Sequence, residues 1–351
     1  MTIQDAIRSI SSSRLTTYRD RMNLVSDEDC LGLYIWNKKL GSTIFPVLQL
    51  LEVSLRNAVH QGFLDGQPQT SANGAGQTPT VTQLDRSWFR TFFEQSQATY
   101  TESWKQIVQA EQQLQRQQQV VDIDRLISKL PFGFWSNLCS RTHNESKVGS
   151  LQLWPKYQRH VFPGSYKNGN WIAMKEIQES LLQINNIRNR IAHHEPIWHS
   201  VKAYELENFV NKLVRDFRKC LDVVGWINPS NLKTVAIMES CTEFAHLCNL
   251  QTIETYKQLG RQFHQTSPID PEQWERSCLV NDRHNGVVIS QKNGKTVIKS
   301  LKDKLTFVFD DTIVKAPAYK PHETVNFKPA RSINFRGQVT LLAQNVKIGH
   351  I

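Results

Sequence analysis

Residues 187 to 196, IRNRIAHHEP, set arginine, asparagine and two adjacent histidines where a helix is about to end. Arginine grips a phosphate through paired hydrogen bonds, and a nearby imidazole moves protons near neutral pH. No other stretch of the chain carries chemistry as plainly. Ile184, Ile187 and Ile191 recur at three and four, with Leu181 extending the series, so they define an apolar stripe facing a core. With successive residues roughly 100° apart, Arg188 falls about 40° to one side of that stripe, between packed and open surface. On the same wheel Asn189 neighbours His193 and Arg190 neighbours His194, while Arg188 and His193, five apart, diverge. Periodicity alone therefore pairs Arg190 with His194. Pro196 loosens that inference, because the residue before a proline is pushed out of αR and the helix is expected to end at or just before Glu195. A helix C-terminus favours imidazolium, which suits a group that must both take and give a proton, and Glu195 adds to the effect. The bland reading is that the histidines and Glu195 cap the last carbonyls. For an isolated pattern of this kind it is the commoner one.

A second polar group, Glu52, Arg56 and Asn57, lies on an otherwise apolar helix, with Glu52 and Arg56 at the favourable i, i+4 spacing. These residues either brace the site or form a partly buried ion pair that holds two helices in register. His60 completes no motif. Phe132, Phe134, Trp135, Trp154, Trp171 and Trp198 are able to stack on bases. Aromatics in such apolar segments are more often core.

The elements that must position these groups follow from composition and period. The chain has 351 residues, enough for two domains, with 39% hydrophobic and 21% charged residues, the balance of an ordinary globular protein. No run approaches the roughly 20 apolar residues that cross a bilayer, and the first residues lack the apolar core of a secretory signal, so a soluble, cytoplasmic protein is expected. Six cysteines, Cys30, Cys139, Cys220, Cys241, Cys248 and Cys278, show no metal-ligand spacing and are expected as reduced thiols, mostly buried. No metal and no cofactor are expected. The net charge of +10 favours an acidic partner, with nucleic acid foremost. Residues 281 to 351 hold 12 Lys and Arg against 5 Asp and Glu, a difference of +7, so most of the excess lies in the last fifth.

Residues 27 to 64 read as two helices with Leu48, Leu51, Leu55, Ala58 and Val59 on the packed side. Residues 66 to 82 are rich in Gly, Pro, Ser, Thr, Gln and Asn and read as a mobile loop. Helical pattern resumes over 85 to 129, a span that includes a glutamine-rich run, and again over 171 to 194 and 201 to 224. The stop signals Gly225, Asn228, Pro229 and Ser230 place a boundary there, giving a helical domain over 1 to 228. The remainder, 229 to 351, reads as a helical connector followed by a small basic β-rich domain. Asn293-Gly294 between two β-rich runs signals a hairpin. Lys292, Lys295, Lys299, Lys302 and Lys304, continued by Lys315, Lys320 and Lys328, alternate with apolar residues there. They suit an RNA backbone, or equally a solvated face that protects a sheet edge.

LYIWNKKL, LLEVSLRNAVH, LPFGFWSNL, LWPKYQRHVFP and INNIRNRIAHHEPIWH stand in an order and spacing that resembles the Abi-like family, abortive-infection proteins of the HEPN class. The resemblance covers about residues 27 to 220 and not the terminal β region. It implies a mainly α fold, a HEPN-type helical bundle, in which an R-x-x-x-x-H motif is the active site of a metal-independent endoribonuclease. Arg188, Asn189 and His193 match that motif residue by residue, and His194 offers the next longer spacing. Relatives of this kind dimerise with the motifs facing one another, which would bring Arg188 of one protomer beside His193 of the other. His193 would then be the acid or base, Arg188 the stabiliser of the transition state, and Asn189 an orienting group. The segment Glu52, Arg56 and Asn57 matches an E-x-x-L-R-N pattern, and with Arg190 it is expected to brace the site. RNA as substrate and a homodimer are what the resemblance implies, and it leaves open whether a neutralising antitoxin partner exists. A non-catalytic module that binds RNA or a partner protein is the alternative.

Overall fold

The computed structural model describes residues 2–67, 86–198, 206–271, 283–311, 318–333 and 339–349. It separates into two units, Met1–Gln265 and Thr266–Ile351. The first holds α1 (Ile3–Ile10), α2 (Ser12–Met22), α3 (Asp27–Asp65), α4 (Trp88–Gln95), α5 (Thr101–Arg116), α6 (Ile123–Lys129) and α7 (Phe132–Leu138). It continues with α8 (Gln158–Val161), the hairpin β1 (Tyr166–Lys167) and β2 (Asn170–Trp171), α9 (Met174–Ala192), α10 (Leu206–Ile227), α11 (Asn231–Ile237), α12 (Ser240–Leu247) and α13 (Leu250–Arg261). The predicted loop at 66 to 82 falls almost wholly outside the described residues.

The centre of this unit is α3, a single helix of 39 residues where the sequence reads as two. Its start is built as a helix start should be. Ser26 accepts the Asp29 amide at 3.1 Å, and Asp27, Glu28 and Asp29 face the positive end of the helix dipole. Pro46 lies inside it and removes one backbone hydrogen bond, a cost of about 3 kcal/mol in an isolated helix. Leu40, Ile44, Val47, Leu48, Leu51 and Leu55 are buried on both sides of that proline, so packing along one continuous face outweighs the local break.

The stop at 225 to 230 ends α10 but not the unit. The boundary expected after residue 228 therefore falls inside the first unit, which runs to Gln265. Two glycines explain why. A Cβ on Gly32 would sit 2.2 Å from the Tyr256 carbonyl oxygen, and one on Gly260 would sit 2.1 Å from that of Glu28, so α3 and α13 touch backbone to backbone. Arg261 closes the contact with a two-pronged pair to Asp29 at 2.7 and 2.9 Å.

Phe132, Phe134, Trp135, Trp154 and Trp198 are all buried, which removes them as base-stacking surfaces; Trp171 is exposed beside Tyr166. Helix α5 carries the glutamine run on three buried anchors, Ile107, Ala110 and Leu114. The five described cysteines are free thiols, with Cys241 alone of these exposed; Cys278 lies outside the described residues. Among the described residues no helix is long and apolar enough to cross a membrane.

The second unit is a closed barrel of β3 (His284–Lys292), β4 (Lys295–Ser300), β5 (Thr306–Asp310), β6 (Thr324–Ile333) and β7 (Val339–Ile348), in the order β3-β4-β5-β7-β6. Asn293 and Gly294 turn the first hairpin with φ of 53° and 71°, the left-handed pair that a two-residue hairpin loop demands. Val288, Ile298, Phe307, Phe309, Tyr319, Val325, Phe327 and Ala343 fill the barrel. Lys292, Lys295, Lys299, Lys302 and Lys304 are exposed, with Lys302 and Lys304 in the turn between β4 and β5; Lys315 lies outside the described residues.

Candidate functional site

Helix α9 is amphipathic, with Ile177, Leu181, Ile184 and Ile187 buried, and it ends at Ala192, slightly earlier than Pro196 alone would require. His193 is the capping residue at φ −86° and ψ 6°, and His194 then adopts the left-handed conformation at φ 61°. The His194 amide donates to the Ile191 carbonyl at 3.1 Å and the Glu195 amide to the Arg190 carbonyl at 2.8 Å. This is a Schellman turn with histidine where glycine is usual. The apolar clasp that normally closes such a turn is replaced by an ion pair, Arg190 Nη1 to Glu195 Oε2 at 3.6 Å, and the same nitrogen donates to the Pro196 carbonyl at 3.4 Å. Arg190 therefore holds the turn and does not pair with His194 as the helical wheel suggests.

The carbonyls beyond the helix are met by other elements. Arg14 Nη1, from α2, donates to the His194 carbonyl at 2.8 Å, and Lys38 Nζ, from α3, reaches the same oxygen at 3.4 Å. Asn37 donates through Nδ2 to the Glu195 carbonyl at 3.3 Å and accepts the Ile197 amide on Oδ1 at 3.1 Å. Desolvation, and then the neighbouring Arg14 charge, hold the Lys38 ammonium below its ordinary pKa. Two cations thus satisfy the negative end of α9. Among the described residues no hydrogen bond reaches either imidazole, so the reading in which the histidines serve as caps loses its physical basis.

The two histidines line different cavities. One, of about 380 Å³, is lined by Gln183, Asn186, Asn189, Arg190, His193, Lys212 and Asp216. The other, of about 420 Å³, is lined by Asn37, Lys38, Gly41, Phe45, Ile191 and His194 and is mostly apolar. Glu195 and Ile197 form the ridge between them. Asp216 is buried on α10, where Oδ1 accepts from Gln183 Nε2 and Oδ2 pairs with Lys212. Gln183, Lys212 and Asp216 were not singled out by the sequence reading. A signal was present, since Asp216 interrupts the stripe Phe209, Leu213, Cys220 and Val223 at helical spacing, with a lysine four residues before it.

Arg188 is half-buried and lines neither cavity. Its Nε lies 3.7 Å from Glu52 Oε2, and its Nη1 donates to Asn189 Oδ1 at 3.4 Å. Glu52 therefore joins α3 to α9 instead of pairing with Arg56 along its own helix. Arg56 turns away to the Ser128 carbonyl at 3.2 Å, and Asn57 is exposed. Of the residues expected together, Asn189, Arg190 and His193 share one cavity; Arg188 with Glu52 stands apart from it, and Arg56 and Asn57 belong to other surroundings.

In the barrel, His284 Nδ1 lies 3.2 Å from Ser300 Oγ and 3.7 Å from Asp303 Oδ2. Both contacts use one ring nitrogen and Ser300 is fully buried, so the trio is no proton relay. Among the described residues no three His, Cys, Asp or Glu side chains group to hold a metal ion.

No curated protein and no solved structure matches this chain. The model of the Abi-like protein family matches residues 6–199, from α1 past the Schellman turn and stopping short of α10 and the barrel. That span is more than half of the chain and includes Arg188, Asn189, His193 and His194: the protein belongs to the Abi-like family, a family of abortive infection.

Proposed function

We propose that the protein is a metal-independent endoribonuclease of the HEPN class, acting in bacterial defence, with Arg188, Asn189 and His193 as its site. The observation that carries this reading is the state of the helix end. The carbonyls of Arg190, Ile191, His194 and Glu195 are met by groups other than a histidine ring, while among the described residues no hydrogen bond reaches the imidazole of His193, which lines a polar cavity with Asn189. A histidine not needed for the fold at that point is available for proton transfer.

In the reaction, a ribose 2′-oxygen forms a bond to its own 3′-phosphorus and the bond to the 5′-oxygen of the next nucleotide breaks. His193 accepts the proton of the 2′-hydroxyl or, in its protonated form, gives one to the leaving oxygen. Arg188 stabilises the charge on the phosphoryl oxygens, and Asn189 orients the ring or the phosphate. The products are a 2′,3′-cyclic phosphate and a 5′-hydroxyl. Arg188 does not line the His193 cavity of its own chain, which supports a site composite across a homodimer, with Glu52 holding the guanidinium in place for the partner.

The barrel serves as the RNA-capturing part. Counted within the barrel, its strands run 1-2-3-5-4, with the third and fifth parallel at Val308 and Leu342. That is the order of OB-type barrels, whose second and third strands and first hairpin loop take oligonucleotides. The support is fold-level analogy joined to charge. Lys295 and Lys299 point outward from β4 on either side of Val297, and Lys292 opens the hairpin, whereas Lys302 and Lys304 sit at the far turn.

Purified protein should cleave single-stranded RNA in the presence of a chelator and leave cyclic phosphate ends. The separation of Arg188 from His193 in one chain favours a second reading, a module that binds RNA or a partner protein without cutting. RNA binding that weakens with salt, with no cleavage by dimeric protein, would establish it.

A further inference from the structure

We infer that the cavity beside His193 is an oxyanion subsite for an RNA phosphodiester, with Lys212 as its donor and Asp216 as the residue that positions it, an inference that rests on the endoribonuclease reading. The other cations near the helix end have tasks elsewhere. Arg14 and Lys38 serve the terminal carbonyls from the far side, Arg190 is tied to Glu195 and the Pro196 carbonyl, and Arg188 lines neither cavity. Among the described residues two of these cations line the cavity: Arg190 is anchored to the turn through Nη1, and Lys212 is set there by a carboxylate of its own helix with donors to spare. An ammonium has three N–H groups, and one of them is given to Asp216.

The buried carboxylate is the second observation. The Asp216 side chain is 7% exposed and both its oxygens are used, one by Gln183 and one by Lys212. If α9 and α10 needed only to pack, an apolar residue at this position of the buried stripe would serve without the cost of desolvating a charge. What Asp216 adds is position, because it fixes the flexible head of Lys212, which lines the cavity together with His193 and Asn189. At about 380 Å³ the space admits a ribose and its phosphate. The proton-transfer group and the charge-stabilising group on that phosphate thus come from one chain, α9 and α10, and the partner's motif adds Arg188 from outside.

The test uses the full chain and a short RNA with every ribose 2′-O-methylated, which has no nucleophile and reports binding alone by fluorescence anisotropy. Lys212→Met should bind it about tenfold more weakly, and Lys212→Arg near the original strength, as expected for a lost or kept charged hydrogen bond. On cleavable RNA, kcat should fall about a hundredfold in Lys212→Met and largely recover in Lys212→Arg. Lys212→Met leaves Asp216 unpaired, so Lys212→Met/Asp216→Leu is measured beside it. That protein should melt like the original and still bind and cut poorly. Original strength and rate in the double variant, or an arginine variant as impaired as the methionine one, would overturn the subsite. If the unaltered protein binds the methylated RNA through Lys212 but never cuts, the subsite stands and the endoribonuclease reading fails. If it cuts and Lys212 is indifferent, the subsite alone fails, and if it neither binds nor cuts, both do.

Discussion

The two sides of the α9 terminus share the ridge of Glu195 and Ile197 and carry opposite chemistry. Toward α10, His193 stands among amides, Lys212 and a buried carboxylate. Toward α3, His194 stands over Gly41, Phe45 and Ile191. The two histidines are adjacent in sequence, yet the sign of φ changes between them, from −86° to 61°, and that reversal sends the rings to different surroundings. Spacing counted along a chain therefore says which groups are near a helix end, and the cap decides which of them share a cavity.

The largest expected effect breaks or confirms the comparison across subunits. Arg188→Ala should lower cleavage by about 100- to 1000-fold. Because Arg188 lies outside the cavity of its own His193, co-expressing Arg188→Ala and His193→Ala chains should restore about a quarter of normal activity. Half the dimers are then mixed, and each mixed dimer has one intact composite site. Restoration absent from verified mixed dimers would place arginine and histidine in the same chain.

A second contrast sets the open histidines against a buried one. His143 stacks on Tyr100 and packs against Phe92 and Phe93, and burial pushes its pKa down to about 4. On unfolding the ring returns to its ordinary value near 6.5, so on acidification the unfolded chain binds the proton first. The stabilisation is whole above about pH 6.5 and is lost as pH falls toward 4, a decline of about 3 kcal/mol. Denaturant unfolding of His143→Phe should lack that portion of the acid decline; an identical pH profile would remove His143 as its source.

The smallest effect concerns His194. Left-handed backbone costs a residue with a Cβ about 1 kcal/mol, so His194→Gly should stabilise the protein by about that much in thermal or denaturant unfolding. Cleavage should stay near normal. A loss of activity in a stabilised variant would show that the apolar side of the ridge takes part in the chemistry.

Much of this was legible in the chain where a local rule acts alone. Asn293-Gly294 makes the hairpin it announces, and the stripe through Ile184 and Ile187 faces the core. Local rules failed where packing from afar decides. The two helices read over 27 to 64 are one, because buried residues continue through Leu40, Gly41, Thr43 and Ile44. The stop after α10 is no domain edge, since α13 returns to α3 through Gly32 and Gly260. The wheel misassigned Arg190 because its geometry ends with the helix, and the turn that follows gives Arg190 to Glu195. Lys212 and Asp216 lie beyond the family match, on a helix whose approach to α9 only the fold shows.

The most direct test of the account is cleavage of single-stranded RNA, with excess chelator, by the unaltered protein, His193→Ala and His194→Ala side by side. Cutting should persist in chelator with cyclic phosphate ends, fall about a thousandfold in His193→Ala, and remain within about threefold of normal in His194→Ala. Cutting abolished by chelator, or undiminished in His193→Ala, would contradict the account.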